Sequence, residues 1–200
     1  MFNTKLLNKY TNDFSHMPFK VSDDLFLFCQ LINNRWKLSC WDGINEPIRL
    51  NTGIMCDLTH ECSPECVKID DIYHISFITA EPNPISNREY LFKLRYVKTK
   101  DFKDLTDNLI IQNNAQTGFV YAGQKIVYSH NNIKLTVHDL QTGLLNNYKL
   151  MIGPDVLQSN YAIARTTYFN NDSNKLLISL VKDPGRYCST ILFELDSGNQ

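Results

Sequence analysis

The sequence predicts an all-β protein built from repeated antiparallel sheets, and three observations support this prediction. Short runs of β-branched and aromatic residues alternate with turn residues, and no long stretch has helical periodicity. Paired asparagines such as Asn33-Asn34 and Asn131-Asn132 fall where hairpin turns are needed, because asparagine tolerates the left-handed backbone conformation. Similar turns return about every 50 residues, which indicates internal repetition.

The strands follow from the same signals in chain order. Each predicted hairpin places a turn between two apolar runs, and the turns contain Asn, Asp or Gly. Four such hairpins are predicted: 25–31 with 36–41, 65–69 with 72–79, 119–122 with 125–129, and 161–169 with 175–181.

Internal repetition then specifies the architecture. The segment from Pro18 to Phe26 reads like the segment from Pro64 to Tyr73, since each has a proline, a short strand, a paired-Asp turn and an aromatic-rich strand. Repeats of this kind are typical of β-propeller blades. We therefore predict one small β-propeller domain over residues 1–200, with about four four-stranded antiparallel blades at 14–51, 61–113, 116–150 and 159–200.

The fourth unit ends before it can supply an outer strand. Residues 2–10 precede the first unit, and we predict that they provide this strand and close the ring. Closure removes the exposed sheet edges that promote aggregation. The alternative is an open ring that forms a homodimer through its free edge.

Composition narrows the classes of partner. The formal net charge is −1, so no basic excess favours nucleic acid, and no apolar run approaches the roughly 20 residues that span a bilayer. Residues 1–13 lack the apolar core of a signal peptide, which favours a cytoplasmic protein.

Cys29 and Cys40 lie in apolar runs and are predicted to be buried, reduced thiols. No glycine-rich phosphate loop or nucleophile elbow is present, and no cofactor is predicted.

Residues 68–77 and 96–105 carry a family resemblance. The first is an aromatic-rich strand, and the second is the end of the hairpin that follows it. Both are similar to the blades of the five-bladed furanosidase-type glycoside hydrolases, which include arabinanases, xylosidases and invertase-like enzymes. The resemblance covers residues 13–105 and implies a propeller whose ligand is a carbohydrate. The enzymes of that family hydrolyse their substrates with paired carboxylates. In that family an Asp directly precedes the proline of the first blade. Met17 stands before Pro18 in this sequence, so the catalytic Asp motif is absent.

Three carboxylates are the candidates for a glycosidase. Glu61 and Glu65 flank Pro64 of the second unit, and Asp13 is the acid nearest to Pro18 of the first unit. A glycosidase needs one carboxyl group to protonate the leaving oxygen and another to act as base or nucleophile. The alternative interpretation of Glu61 and Glu65 is that they are polar residues at the rim of the channel.

Five residues are predicted to contact a ligand. Glu65 and Arg165 are predicted on innermost strands, where a carboxylate or guanidinium can face a central channel, and His16 lies just before Pro18. Trp36 and Trp41 are five residues apart on one strand, so they point to opposite faces. We expect one of them in the core and the other as a stacking platform for a sugar or a partner protein.

A cluster of potential metal ligands lies at Cys56, His60, Cys62 and Cys66. Thiolates and imidazoles are the groups that zinc prefers, but the spacing lacks the usual pair of cysteines two residues apart. The sequence therefore favours packed thiols here over a metal site.

The functional prediction is a non-catalytic propeller that binds a ligand or a partner at one end of its central channel. Carbohydrate is the first ligand class to test, because the family resemblance implies it. One alternative is a glycosidase-like hydrolase that uses Glu61 or Glu65 with Asp13. The other is a protein-interaction or inhibitor module, since propellers serve many unrelated functions.

Overall fold

The structure is a computed structural model, and it describes the backbone of eleven segments of the chain. These are residues 15–54, 56–86, 89–113, 119–122, 125–130, 134–149, 151–152, 155–156, 161–169, 172–182 and 187–194. Within them every regular element is a β-strand, which confirms the all-β prediction. The described residues contain no helix that could cross a membrane. The chain divides into two compact units, Met1–Asn114 and Ala115–Gln200.

The first unit contains two four-stranded antiparallel sheets. In each sheet, strands that follow one another in the chain are neighbours, which is the arrangement of a propeller blade. The first sheet consists of β1 (Ser15–Ser22), β2 (Leu25–Ile32), β3 (Arg35–Trp41) and β4 (Ile48–Arg49). The second consists of β5 (His60–Ile69), β6 (Ile72–Pro82), β7 (Tyr90–Thr99) and β8 (Thr106–Asn113).

The second unit contains three further antiparallel groups of strands. The first is a four-stranded sheet of β9 (Phe119–Ala122), β10 (Lys125–His130), β11 (Lys134–Asp139) and β12 (Leu145–Lys149). The others are the hairpin of β13 (Met151–Ile152) and β14 (Asp155–Val156), and the three-stranded sheet of β15 (Tyr161–Phe169), β16 (Asp172–Lys182) and β17 (Tyr187–Glu194). Residues 2–10 lie outside the described residues, so ring closure, the single domain and the homodimer stay predictions.

Two hairpin turns of the first unit are formed by paired residues that adopt a left-handed backbone conformation. Asn33 and Asn34 have φ of 50° and 59°, and Asp70 and Asp71 have φ of 47° and 61°. Two successive positive φ values make a turn whose twist matches that of the flanking strands, and Asn and Asp adopt it more readily than other side chains. This local chemistry is why the sequence located the β2–β3 and β5–β6 hairpins.

An apolar core joins the two sheets of the first unit. Phe77 and Ile75 on β6 pack with Leu27 and Leu38 of the first sheet, and all four side chains are fully buried. In the middle of β2 and of β3 four consecutive residues are buried, so both faces of these strands are covered there. Cys29 and Cys40 are free and buried there, which confirms their interpretation as core thiols.

The first strands of three sheets share an irregularity. In β1, His16 pairs with Cys29 but Phe19 pairs with Leu27. In β5, Cys62 pairs with Ile78 but Glu65 pairs with Ser76, and in β15 a similar shift precedes Arg165. Each shift is a β-bulge that adds one residue to the first strand. In β1 and β5 the bulge includes a proline, Pro18 or Pro64, so the sequence repeat corresponds to a repeated backbone feature.

Candidate functional site

Three connections between strands lie at the same end of the first unit. Because the strands alternate in direction, the β2–β3 turn, the β4–β5 connection and the β6–β7 connection all lie at this end. We call it the crossover end, and we call residues 50–54 and 56–59 the crossing segment. Arg35 confirms the proximity, since its Nε donates a hydrogen bond to the carbonyl of Leu58 at 3.1 Å.

Glu61 is the most buried carboxylate at the crossover end, with 1% of its surface exposed. Its Oε2 accepts a hydrogen bond from the backbone N–H of Leu38 at 3.0 Å, and its Oε1 accepts one from the Thr52 hydroxyl at 3.1 Å. Lys37 Nζ lies 3.7 Å from Oε1 and donates to the carbonyl of Thr59 at 2.9 Å. Glu61 therefore connects β3, the crossing segment and β5. These contacts favour a structural role over proton transfer to a substrate.

The bulge in β5 separates the two predicted glutamates. Glu61 is opposite Thr79, and Glu65 is opposite Ser76, on the neighbouring strand. Residues that face each other across strands point to the same side, and Thr79 and Ser76 are three residues apart, so Glu61 and Glu65 point to opposite faces. Ser63, within the bulge, has a φ of 51°, which few residues other than Gly, Asn or Asp adopt. Glu65 is half-buried.

Three other predicted site residues are described only in part or not at all. Asp13 lies outside the described residues, and for His16 and Arg165 the structure describes the strand but not the side chain. His16 comes directly before the bulge of β1, and Arg165 is the first paired residue after the shift in β15. Arg165 thus has the register position in its sheet that Glu65 has in the second sheet.

The two tryptophans lie at opposite ends of β3. Trp36 pairs with Leu31 and Trp41 pairs with Phe26, so they point to opposite faces as predicted. Both are half-buried, so the prediction that one lies in the core is wrong. The reason is their position, because only the middle of β3 is covered on both sides. Trp41 Nε1 donates a hydrogen bond to the carbonyl of Asn45 at 2.7 Å.

The four potential metal ligands do not converge. Cys62 is opposite Ile78 and Cys66 is opposite Ile75, so the bulge also places these thiols on opposite faces. Burial raises the pKa of Cys62 to about 11 and that of Cys66 to about 12, which keeps both thiols protonated. Cys56 is exposed, and among the described residues no three His, Cys, Asp or Glu side chains are grouped to hold a metal.

A second polar network lies on β6 and β7, and sequence reasoning did not identify it. Glu81 binds Arg95 Nη2 through Oε1 at 2.8 Å and Lys93 Nζ through Oε2 at 2.5 Å. Arg95 Nε also donates to the Thr79 hydroxyl at 3.3 Å. Burial opposes ionisation of Glu81, but the hydrogen bonds from Arg95 and Lys93 hold its pKa below the usual value. The sequence does carry a signal for this network: polar residues alternate at 79 and 81 on one strand and at 93 and 95 on the next.

Two grooves open at opposite ends of the first unit. The groove at the crossover end has a volume of about 400 Å³, and its charged lining residues are Arg35, Lys37, Arg49 and Asp57. The groove at the other end has about 300 Å³, and there Lys98 and Lys100 are matched by Asp101 and Asp104. Of these two grooves, formed by described residues, the first has more cations than carboxylates in its lining and the second has equal numbers.

His60 should make stability depend on pH. Its Nδ1 accepts a hydrogen bond from the backbone N–H of Trp36 at 3.3 Å, and burial, Arg35 and Lys37 hold its pKa below 6.5. The native state thus favours neutral His60, whereas the unfolded state binds a proton near pH 6.5. This stabilisation should be complete above about pH 7 and should be lost as the pH falls from about 6.5 towards the lower native pKa.

Urea unfolding between about pH 5 and about pH 8 would measure this effect. The variant His60→Gln keeps an acceptor for the Trp36 N–H but does not titrate, so its free energy of unfolding should fall less at low pH. Equal pH dependence in the two proteins would contradict the prediction.

No family model and no curated protein sequence matches this chain. Its structure is similar to an α-L-arabinofuranosidase of Fusarium graminearum in complex with an iminosugar inhibitor, with a TM-score of 0.59 and 13% sequence identity. That alignment covers 92% of this chain and 58% of the enzyme. The same organism's GH93 enzyme with arabinobiose gives a TM-score of 0.57 at 14% identity, covering 90% of this chain and 58% of the enzyme.

An α-L-arabinanase of Penicillium chrysogenum complexed with arabinobiose is also similar, with a TM-score of 0.57 at 10% identity. The alignment covers 92% of this chain, which spans 58% of the arabinanase. At such low identity the likeness establishes the fold. It confirms the resemblance to furanosidase-type glycoside hydrolases that the sequence predicted.

Proposed function

We propose that this chain binds a carbohydrate and does not hydrolyse it. The observation that carries the proposal is the fold, which is similar over 90% or more of the chain to enzymes solved with arabinobiose. Arabino-oligosaccharides are therefore the first ligands to test. The chain spans 58% of the length of those enzymes, and their complete activity is not part of the proposal.

The carboxylates support binding over catalysis. Met17 stands where the family resemblance implies a catalytic Asp, and Glu61 is buried with both carboxylate oxygens engaged. A glycosidase needs two carboxyl groups about 5–9.5 Å apart that face one cavity. Glu61 and Glu65 point to opposite faces of their sheet, which argues against a pair made of these two residues. The glycosidase alternative pairs Glu61 or Glu65 with Asp13, which lies outside the described residues, and release of arabinose is the result that would distinguish it from binding.

Glu65 is the residue that we propose for sugar recognition. It follows a β-bulge on the first strand of its sheet and is half-buried. Bulges often re-aim a side chain beside a functional site. A carboxylate in this position can accept hydrogen bonds from sugar hydroxyls, and these charge-assisted bonds are stronger than neutral ones.

Isothermal titration with arabinobiose and arabinotriose tests the proposal. We expect saturable binding, weakened about tenfold in Glu65→Gln because a charge-assisted hydrogen bond is lost. The variant Glu46→Gln changes an exposed glutamate and should bind as the wild type does. Binding to neither these sugars nor xylo-oligosaccharides would overturn the proposal in favour of a protein-interaction module. Arabinose release that Glu65→Gln abolishes would overturn it in favour of a glycosidase.

A further inference from the structure

The groove at the crossover end is lined by polar residues from four parts of the chain. Asn33 and Asn34 come from the β2–β3 turn, Arg35 from β3, Arg49 from β4, and Asp57 from the crossing segment. Its volume of about 400 Å³ lies within the range of about 300–1,000 Å³ that is usual for small-molecule sites. The groove is therefore large enough to hold a ligand of monosaccharide size.

The free charge in this groove is positive. Lys37 lines the groove, but its side chain is 4% exposed and its ammonium is matched by Glu61 at 3.7 Å. The remaining charged groups are Arg35, Arg49 and Asp57, which leaves one positive charge in excess. An anionic ligand would balance this charge.

Two carbonyl groups orient the Arg35 guanidinium, and it forms no ion pair among the residues that the structure describes. Its Nη1 donates to the carbonyl of Asn34 at 2.8 Å, and its Nε donates to the carbonyl of Leu58 at 3.1 Å. Carbonyl groups orient a guanidinium but carry no net charge, so Arg35 keeps its full positive charge. A guanidinium that is already ordered loses less entropy when it binds a carboxylate or phosphate.

Arg49 supplies a second cation with an exposed side chain. It lies on β4, opposite Ser39 of β3, and it forms no ion pair within the described part of the chain. The exposed side chains of Asn33, Asn34 and Asp57 add amide and carboxylate groups to the same groove. Amides and carboxylates are suitable partners for hydroxyl groups.

We propose that this groove binds an acidic sugar, with Arg35 and Arg49 on its oxyanion and Asn33, Asn34 and Asp57 on its hydroxyls. A uronic acid and a sugar phosphate share this chemistry, since each combines an oxyanion with several hydroxyl groups. The site is separate from Glu65, which lies beyond the bulge in β5, so the inference goes beyond the arabinose-type binding proposed above.

Titrations of the full chain with D-galacturonate and with glucose 6-phosphate test this site, with neutral D-galactose as the reference. We expect at least one of the acids to bind at least about tenfold more tightly than galactose, because hydrogen bonds to charged groups are the stronger ones. Amide NMR shifts should change at Asn33 and Asn34. Whichever acid binds identifies the oxyanion as a carboxylate or a phosphate.

Three variants make the test specific. Arg49→Ala should weaken binding of the acid at least about tenfold, whereas Lys103→Ala, which removes an exposed cation from the opposite end, should leave it unchanged. Glu65→Gln should not affect acid binding, and Arg49→Ala should not affect arabinobiose binding, so the two proposals fail independently.

Several outcomes would overturn the inference. One is equal affinity for galactose and both acids, and another is an equal effect of Arg49→Ala and Lys103→Ala. Inorganic sulfate that binds as tightly as either acid would also overturn it, because the groove would then recognise an oxyanion but no sugar. Circular dichroism melts of each variant would show that the fold is retained.

Discussion

Replacing Glu61 with alanine is expected to lower the free energy of unfolding by about 3–5 kcal/mol. Lys37 would remain 4% exposed with no carboxylate beside it, and the backbone N–H of Leu38 would lose its acceptor. An uncompensated buried charge and an unpaired buried donor are among the costliest defects in a folded protein. Equilibrium urea unfolding at pH 7.5 (roughly neutral, above the ordinary histidine pKa) would measure the loss.

A double variant separates the charge from the packing. Lys37→Met with Glu61→Leu removes both charges, and apolar replacement of a buried ion pair is often neutral or stabilising. We therefore expect the double variant to be more stable than Glu61→Ala. Glu46→Ala is the matched control, because Glu46 is exposed and its loss should change stability by less than about 0.5 kcal/mol. A Glu61→Ala variant as stable as Glu46→Ala would contradict the structural role.

Replacing Phe77 with alanine is expected to cost about 3–5 kcal/mol, the usual range for removing a buried aromatic side chain. Phe77 is fully buried where β6 meets the first sheet, in contact with the cluster that contains Leu27 and Leu38. The loss combines the transfer free energy of the ring with the cavity left behind. Urea unfolding followed by tryptophan fluorescence is a suitable measurement, because both tryptophans lie on β3 of that sheet.

Phe92 provides the control for this prediction. Phe92 lies on β7, in the same sheet as Phe77, but 46% of its surface is exposed. Phe92→Ala removes the same atoms and should cost about half as much or less, since nearly half of the residue is already exposed and its removal leaves no enclosed cavity. Similar losses in the two variants would mean that the core between the two sheets is not where the structure locates it.

Most of the fold was predictable because its signals are local. The Asn33-Asn34 and Asp70-Asp71 turns depend on four neighbouring residues each, and both hairpins occur where the sequence indicates them. The strand signal is likewise local, so runs of apolar and aromatic residues between turn residues identified β2, β3 and β6. The repeat around Pro18 and Pro64 reflects a shared backbone bulge.

The candidate site was less predictable because it depends on register and on distant contacts. Glu61 and Glu65 are four residues apart, so a regular strand would place them on one face. The bulge at Ser63 reverses this, and serine gives no sign of a positive φ. The partnership of Lys37 with Glu61 joins two different sheets, and the half-burial of Trp36 depends on where neighbouring strands end. None of these follows from a sequence window.

The buried contact between Lys37 and Glu61 also bears on how such repeats evolve. Each charge is contributed by a different sheet, and each is acceptable in the interior only because the other is there. The first sheet is therefore not an interchangeable module. A duplication, deletion or swap of either sheet would separate the pair, so it would succeed only if the partner residue changed at the same time.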